Sequence, residues 1–197
     1  MKKSIILLVS FVMFFNCSFA NSDMNTTNFI AVEKQLTSNT NIIGDFVQER
    51  QIQGIDNPLK SSGTFGLSDD GSLIWTQTKP FKSVMTISHD KLSQTIMDNP
   101  PTIMTKESQP VVFTFTQLFM SILKGDTKSV QQYFNVDFTG DAQSWSIVFT
   151  PKTAPINKAI KSLIFKGGKN IDSIKVVDTQ SNVISIIFSN IIDKSDK

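Results

Sequence analysis

Hydrophobic and polar positions along this chain follow two rhythms, and the switches between them mark the elements. Phe29, Ile30, Val32, Glu33 and Leu36 fall near helical spacing, with Thr26, Thr27 and Asn28 as caps, which predicts a short amphipathic helix over 28–38. The period then drops to two over 43–53, with Phe46, Gln48, Arg50 and Ile52 on one face and Val47, Glu49 and Gln51 on the other. Asn57-Pro58 ends that strand, 63–67 makes a second, Asp69-Asp70-Gly71 a tight turn, and 72–77 a third. Two more short strands follow at 83–88 and 92–97, separated by His89-Asp90-Lys91, before Asn99-Pro100-Pro101 forces an irregular crossing.

Over 111–124 the strand rhythm breaks. Phe115, Leu118, Phe119, Ile122 and Leu123 recur at helical spacing and Gly125 supplies a stop, so a strongly apolar helix is expected, and in a sheet protein it needs a concave surface to lie in. Alternation returns with Phe134, Val136 and Phe138 before Gly140-Asp141, and with Trp145, Ile147 and Phe149 after it, a hairpin pattern. Three further strands are expected at 158–166, 171–178 and 183–190. About ten strands and two or three helices define a mainly β member of the α+β class, with an antiparallel sheet curled towards a barrel.

The first twenty residues stand apart from this pattern. Lys2 and Lys3, the apolar run 5–15 and the small-x-small ending Ser18-Phe19-Ala20 form a secretory signal peptide over 1–20, which puts the mature start near Asn21 and the protein in the periplasm. Cys17 raises a lipid-anchored alternative, but Phe15-Asn16 precede it where a lipoprotein signal carries a small residue. It is also the only cysteine, so cleavage after Ala20 leaves no thiol chemistry and no disulfide. Residues 21–197, about 177 in number, are read as one domain large enough to fold on its core alone.

Charge narrows the function classes. Of the 19 basic residues Lys2 and Lys3 belong to the leader, so the remainder match the 17 acids and the mature chain is formally neutral. Its lysines are scattered rather than arranged in the basic stripe that nucleic acids require, so no nucleic-acid partner is expected. His89 is the sole histidine, in a polar strand-end turn with no Gly-x-Ser-x-Gly elbow, which gives a hydrolase triad little to build on. Asp69-Asp70 and the carboxylates at Asp137 and Asp141 lack the regular oxygen spacing of a calcium loop and read as turn chemistry. No catalytic residue, metal or cofactor is expected. What stands out is apolar: 16 phenylalanines, of which only Phe11, Phe14, Phe15 and Phe19 fall in the leader, together with Met85, Met97, Met104 and Met120. Such side chains fill a closed core or line a hollow one, and the pattern alone is the same for both.

The order of motifs resembles the LolA-type periplasmic carriers of outer-membrane lipoproteins and their LolA-like relatives. The matching features are Phe46-Val47-Gln48 after an N-terminal helix, Gly63-Thr64-Phe65 leading to Trp75, then Lys79-Pro80, the segment Trp145-Ser146-Ile147-Val148-Phe149-Thr150-Pro151-Lys152, and the closing strand 184–190. The resemblance implies an incomplete, half-open antiparallel barrel with a helical lid over an apolar cavity that shelters acyl chains of a lipoprotein or lipid. On that basis Phe65, Trp75, Met85, Ile87, Phe115, Leu118, Phe119, Ile122, Trp145, Ile147 and Phe149 are the expected cavity lining, and the helix from Phe115 the expected lid. It further implies a monomer that receives cargo from an inner-membrane donor complex and passes it to an outer-membrane acceptor. The family's lid-latching arginine has no counterpart, because the corresponding stretch is Ser68-Asp69-Asp70-Gly71. A structural envelope protein with a packed barrel, binding a protein partner and no lipid, is the alternative reading.

Overall fold

The computed structural model describes residues 21–38, 41–68, 70–88, 91–123 and 126–194, without the side chains of 21–26, 115, 117, 119, 123 and 127–129. Eleven antiparallel strands form one sheet in two meanders. Strands β1 (Ile42–Gln51), β2 (Leu59–Leu67), β3 (Leu73–Lys79), β4 (Ser83–Ser88), β5 (Lys91–Ile96) and β6 (Thr102–Met104) follow one another outward from β1. Strands β7 (Phe134–Gly140), β8 (Trp145–Pro151), β9 (Ile160–Gly167), β10 (Ile171–Asp178) and β11 (Val183–Asp193) lead back inward, and β11 pairs with β1 from Ile42 opposite Asp193 to Gln51 opposite Val183. That pairing joins the halves and leaves β6 and β7 as the two free edges, so the sheet curls but does not close.

This connectivity dictates where the helices go. The chain leaves one edge at Met104 and re-enters at the other edge at Phe134, and it crosses as α2 (Pro110–Leu123) and α3 (Thr127–Tyr133). Helix α1 (Asn21–Thr37) packs on α2 and β7, and the single turn α4 (Ile156–Ala159) packs on α2, β8 and β9. Pro110 opens α2, where its missing N–H and fixed φ cost nothing. At the other end the Asp126 N–H donates to the Ser121 carbonyl at 2.9 Å, and α3 begins directly afterwards.

Alternation on the strands produces the inner face. Across the first meander, Ile42, Leu67, Leu73, Ile87, Leu92 and Met104 lie opposite one another in register, and across the second Phe138, Ile147, Phe165, Ile174 and Ile186 do the same. Nearly all of these side chains are buried. Gly63 must stay bare because a Cβ there would stand 1.9 Å from the Thr76 carbonyl oxygen on β3, whereas Gly66, three residues on, has nothing nearer than 3.6 Å.

Strand β1, helix α2 and the strands of both meanders follow the expected pattern, and four elements depart from it; α1, expected over 28–38, begins at Asn21, so Thr26, Thr27 and Asn28 lie within the helix and do not cap it. The segment 158–166 does not begin as a strand: its first residues close α4, whose start is fixed by the Asn157 N–H on the Thr153 carbonyl and by Ile156 buried in the core. Among its described side chains helix α3 has one buried apolar residue, Val130, and its sequence has no apolar stripe to show. Strand β6 is three residues long and follows Pro100-Pro101. Asp69, His89, Asp90, Gly125 and the segment 1–20 lie outside the described residues.

Candidate functional site

The concave face is not filled evenly. Between the β4 end of the sheet and the crossing helices lies a cavity of about 560 Å³. Ile87 bounds it from β4, Phe113, Thr116, Leu118 and Met120 from α2, Val130 from α3, Phe134 from β7 and Ile156 from α4. Most of these are buried and apolar. The rim is different: Lys106, Asp126, Tyr133, Thr153 and Pro155 are exposed, and Gly71 from the β2–β3 turn also borders the opening. The interior is largely apolar, with Thr114, Thr116 and Ser121 also on its wall, and together with a polar mouth it suits the apolar part of an amphiphilic molecule.

The lid over this space is held by packing. Helix α2 has no ionisable residue over Pro110–Leu123, so it cannot supply either half of an ion pair. It buries Phe113, Leu118 and Ile122 against the core and touches α1, α3 and α4. Where the LolA-type arginine would stand, the turn instead closes on itself: the Gly71 N–H donates to the Ser68 carbonyl at 2.8 Å, and Asp70 accepts from the Ser72 N–H and hydroxyl. Helix α1, in contrast, is tied to the turns of the second meander. Asn28 donates to the Gly140 carbonyl at 3.1 Å, and Gln35 to the carbonyls of Gly168 and Ala142.

Under α1 and α2 a second, much tighter crevice of about 10 Å³ is lined by Phe29, Val32, Leu36, Ile122, Val130, Val136, Ile147 and Phe149. Glu33 also reaches it, and one of its carboxylate oxygens, Oε1, is buried without a hydrogen-bond partner. Burial raises the Glu33 carboxyl above its ordinary value of 4.5. An unpaired buried oxygen among apolar side chains weakens the junction of α1 with the lid.

The eleven residues expected from the sequence to line a cavity fall into several groups. Ile87 and Leu118 border the large cavity, while Ile122, Ile147 and Phe149 border the tight crevice. Phe65 and Trp75 belong to an aromatic cluster at the middle of the sheet, where the Phe46 and Trp75 rings stack with centroids 3.8 Å apart and Phe188 stands edge-on to both Phe65 and Trp75. Met85 lies opposite Trp75 on β4 and packs on the core. Trp145 is buried at the β8 end, its indole N–H donating to the Gly168 carbonyl at 2.8 Å. The side chains of Phe115 and Phe119 lie outside the described residues. Phe113, Thr116, Val130, Phe134 and Ile156 were missed as lining. Phe134 was legible as an inward strand residue, but only the crossing of the chain from β6 to β7 brings α2 and α3 to the same space as α4, which follows β8.

The acidic turns serve local structure. Asp141 accepts from the N–H groups of Gln143 and Ser144 at 2.9 and 3.1 Å, and Asp178 from Gln180 and Asn182. Among the described residues no group of three or more His, Cys, Asp or Glu side chains could hold a metal ion, and no helix is long and apolar enough to cross a membrane.

The architecture is thus a half-open antiparallel sheet with helices laid across its concave face and a largely apolar cavity between them. The sequence places it further: a family model described as "Outer membrane lipoprotein carrier protein LolA-like" matches residues 23–190, and the chain belongs to this LolA-like family. No curated protein matches it. Among solved structures, a DUF1329 family protein from Desulfovibrio piger ATCC 29098 shares the fold at 9% identity and a TM-score of 0.50, with 88% of this chain and 94% of that chain covered. A LolA superfamily protein from Nitrosomonas europaea is 6% identical with a TM-score of 0.47, covering 85% of this chain and 92% of that one. A chain of the Pseudomonas aeruginosa MucA/MucB complex is 10% identical with a TM-score of 0.40, covering 84% of this chain and 56% of that one.

Proposed function

We propose that this protein is a non-enzymatic periplasmic carrier that holds the acyl part of a lipoprotein or lipid in the cavity under α2 and moves it towards the outer membrane. The observation that carries this reading is the cavity of about 560 Å³, largely apolar inside and polar at its rim, in a chain of the lipoprotein-carrier family. Residues 1–20 direct export and are removed, and 21–197 act as one carrier unit. A buried methylene is worth roughly 0.8 kcal/mol, so an acyl chain in water gains strongly by entering such a space. Delivery also requires release. A lid without ionisable groups, resting on a junction weakened by the unpaired Glu33 oxygen, can lift without breaking an ion pair. Loading and unloading then fall to a donor at the inner membrane and an acceptor at the outer membrane.

The test is photocrosslinking in cells. A crosslinker at Leu118, on the cavity wall, is expected to capture an acylated molecule, and one at Val47, exposed on the outer face of β1, is not. Capture of proteins alone from both positions, with no lipid, would refute the carrier reading and favour the packed-barrel alternative.

A further inference from the structure

We infer that Thr116 is a specificity-determining residue inside the cavity, and that the part of the cargo that enters bears a hydrogen-bonding oxygen, a chain hydroxyl or carbonyl, rather than being plain hydrocarbon. The inference rests on the carrier reading and deepens it. Thr116 lies on the α2 wall of the cavity and is 7% exposed, so it stands inside, whereas Lys106 and Tyr133 at the mouth are exposed. A threonine on a helix can satisfy its hydroxyl on the carbonyl four residues back. Thr114, on the same wall, does so, donating to the Pro110 carbonyl at 2.8 Å. The Thr116 hydroxyl makes no hydrogen bond among the described residues. Fully buried side-chain oxygens without a partner occur among the described residues at Glu33 and Asn157, and Thr116 is not one of them. Its oxygen is therefore open to the space that the residue borders, which is the cavity.

That placement matters once cargo enters. In the empty protein, water in the cavity can serve the hydroxyl. A hydrocarbon chain displaces that water and offers no bond in return, which leaves a buried polar group unpaired. Such a loss weakens binding by about five- to a hundredfold. A hydroxyl or carbonyl on the cargo restores the bond, because a threonine hydroxyl both donates and accepts. Valine has the same shape without the hydroxyl, so a wall that served hydrocarbon alone would do better with valine here. The surrounding wall makes the group conspicuous: Phe113 and Leu118 on the same helix are buried and apolar, and Ile87 and Ile156 face the cavity from β4 and α4. Ser121, further along α2 on the same wall, also makes no side-chain hydrogen bond among the described residues and offers a second contact. A site that holds a polar group for a ligand oxygen rejects the analogue lacking it more strongly than an apolar pocket rejects an added hydroxyl.

The experiment uses the mature chain, stripped of bound lipid, with affinities read from displacement of a fluorescent fatty acid. The ligands are octadecanoic acid and octadecanoic acids that carry one hydroxyl, or one oxo group, at successive positions along the chain. For each, the affinity relative to the plain acid is compared between the parent and the variants Thr116→Val and Thr116→Ala, which cancels the greater water solubility of the substituted acids. At one or more positions this ratio should fall at least fivefold in both variants, while Thr116→Ser, which keeps the hydroxyl, should stay within about twofold of the parent. Plain octadecanoic acid should bind Thr116→Val at least as tightly as the parent. A gain shared by hydroxy and oxo acids makes Thr116 the donor, and a gain confined to the hydroxy acids makes it the acceptor; both support the inference. Ratios unchanged by Thr116→Val and Thr116→Ala at every position would overturn it and leave the carrier reading standing. If no acid of any kind binds, both fall.

Discussion

Replacing Phe46 by alanine separates packing from cargo binding on the inner face. Phe46 is 1% exposed, at the middle of β1, opposite Gly63 on one side and Phe188 on the other, with its ring stacked on Trp75 at 3.8 Å. Truncating a buried phenylalanine costs about 3–5 kcal/mol, and the stack with Trp75 accounts for about 1 kcal/mol of that class of loss. A loss of about 4 kcal/mol is thus expected. Domains are stable by about 5–15 kcal/mol, so the variant should remain folded at 25 °C. With a urea dependence of about 2 kcal/mol per molar, the unfolding midpoint should fall by about 2 M. Phe46 does not border the 560 Å³ cavity, so fatty-acid affinity measured on the folded variant should stay within about twofold of the parent. A small stability change coupled to a large loss of binding would refute this reasoning, because it would mean that the aromatic cluster is itself a cargo surface.

Other perturbations follow from the same geometry. Gly63→Ala forces a Cβ against the Thr76 carbonyl and should cost more than about 2 kcal/mol, while Gly66→Ala, whose Cβ would meet the Ile43 side chain at an ordinary 3.6 Å, should stay within about 1 kcal/mol; equal effects in thermal unfolding would contradict the register of β2 on β3. Glu33 binds a proton more tightly folded than unfolded, so its contribution is fully present below pH 4.5 and is lost as pH rises through the raised folded value. Glu33→Gln should therefore gain stability relative to the parent on going from pH 4 to pH 8, and a gap that does not change with pH would show that the carboxyl is not buried in the folded state. Leu118→Trp, which projects more bulk into the cavity, should weaken fatty-acid binding at least fivefold without loss of far-ultraviolet helical signal, and unchanged binding would place the ligand elsewhere.

How much of this was legible in the chain differs by element. The strands were readable because one face of each is buried: Phe46 against Val47, or Ile147 between Ser146 and Val148, alternates cleanly enough to fix both the element and its inward side. Helix α2 was readable from its apolar repeat, whereas the caps read for α1 at Thr26, Thr27 and Asn28 lie inside a helix that begins at Asn21. The cavity was not, because an inward phenylalanine has the same pattern whether its neighbour is another ring or empty space. Trp75 and Phe65 are as apolar as Leu118, yet the first two are packed against other rings and the third borders a void. That difference depends on long-range placement: β1 against β11 holds the aromatic cluster at the centre, and the passage from β6 to β7 carries α2 and α3 over the end beside Ile87. Short elements such as α4, a single turn held by a few backbone bonds and Ile156, leave too little periodicity to read.

The most direct test of a cavity that carries apolar cargo is a crystal structure of the mature protein with a fatty acid brominated near its methyl end. The account predicts anomalous bromine density inside the space bounded by Ile87, Leu118, Val130 and Ile156, with the carboxylate at the mouth near Lys106 and Tyr133. Bromine on the outer face of the sheet, or within a displaced Phe46–Trp75 cluster while the space under α2 stays unfilled, would contradict it.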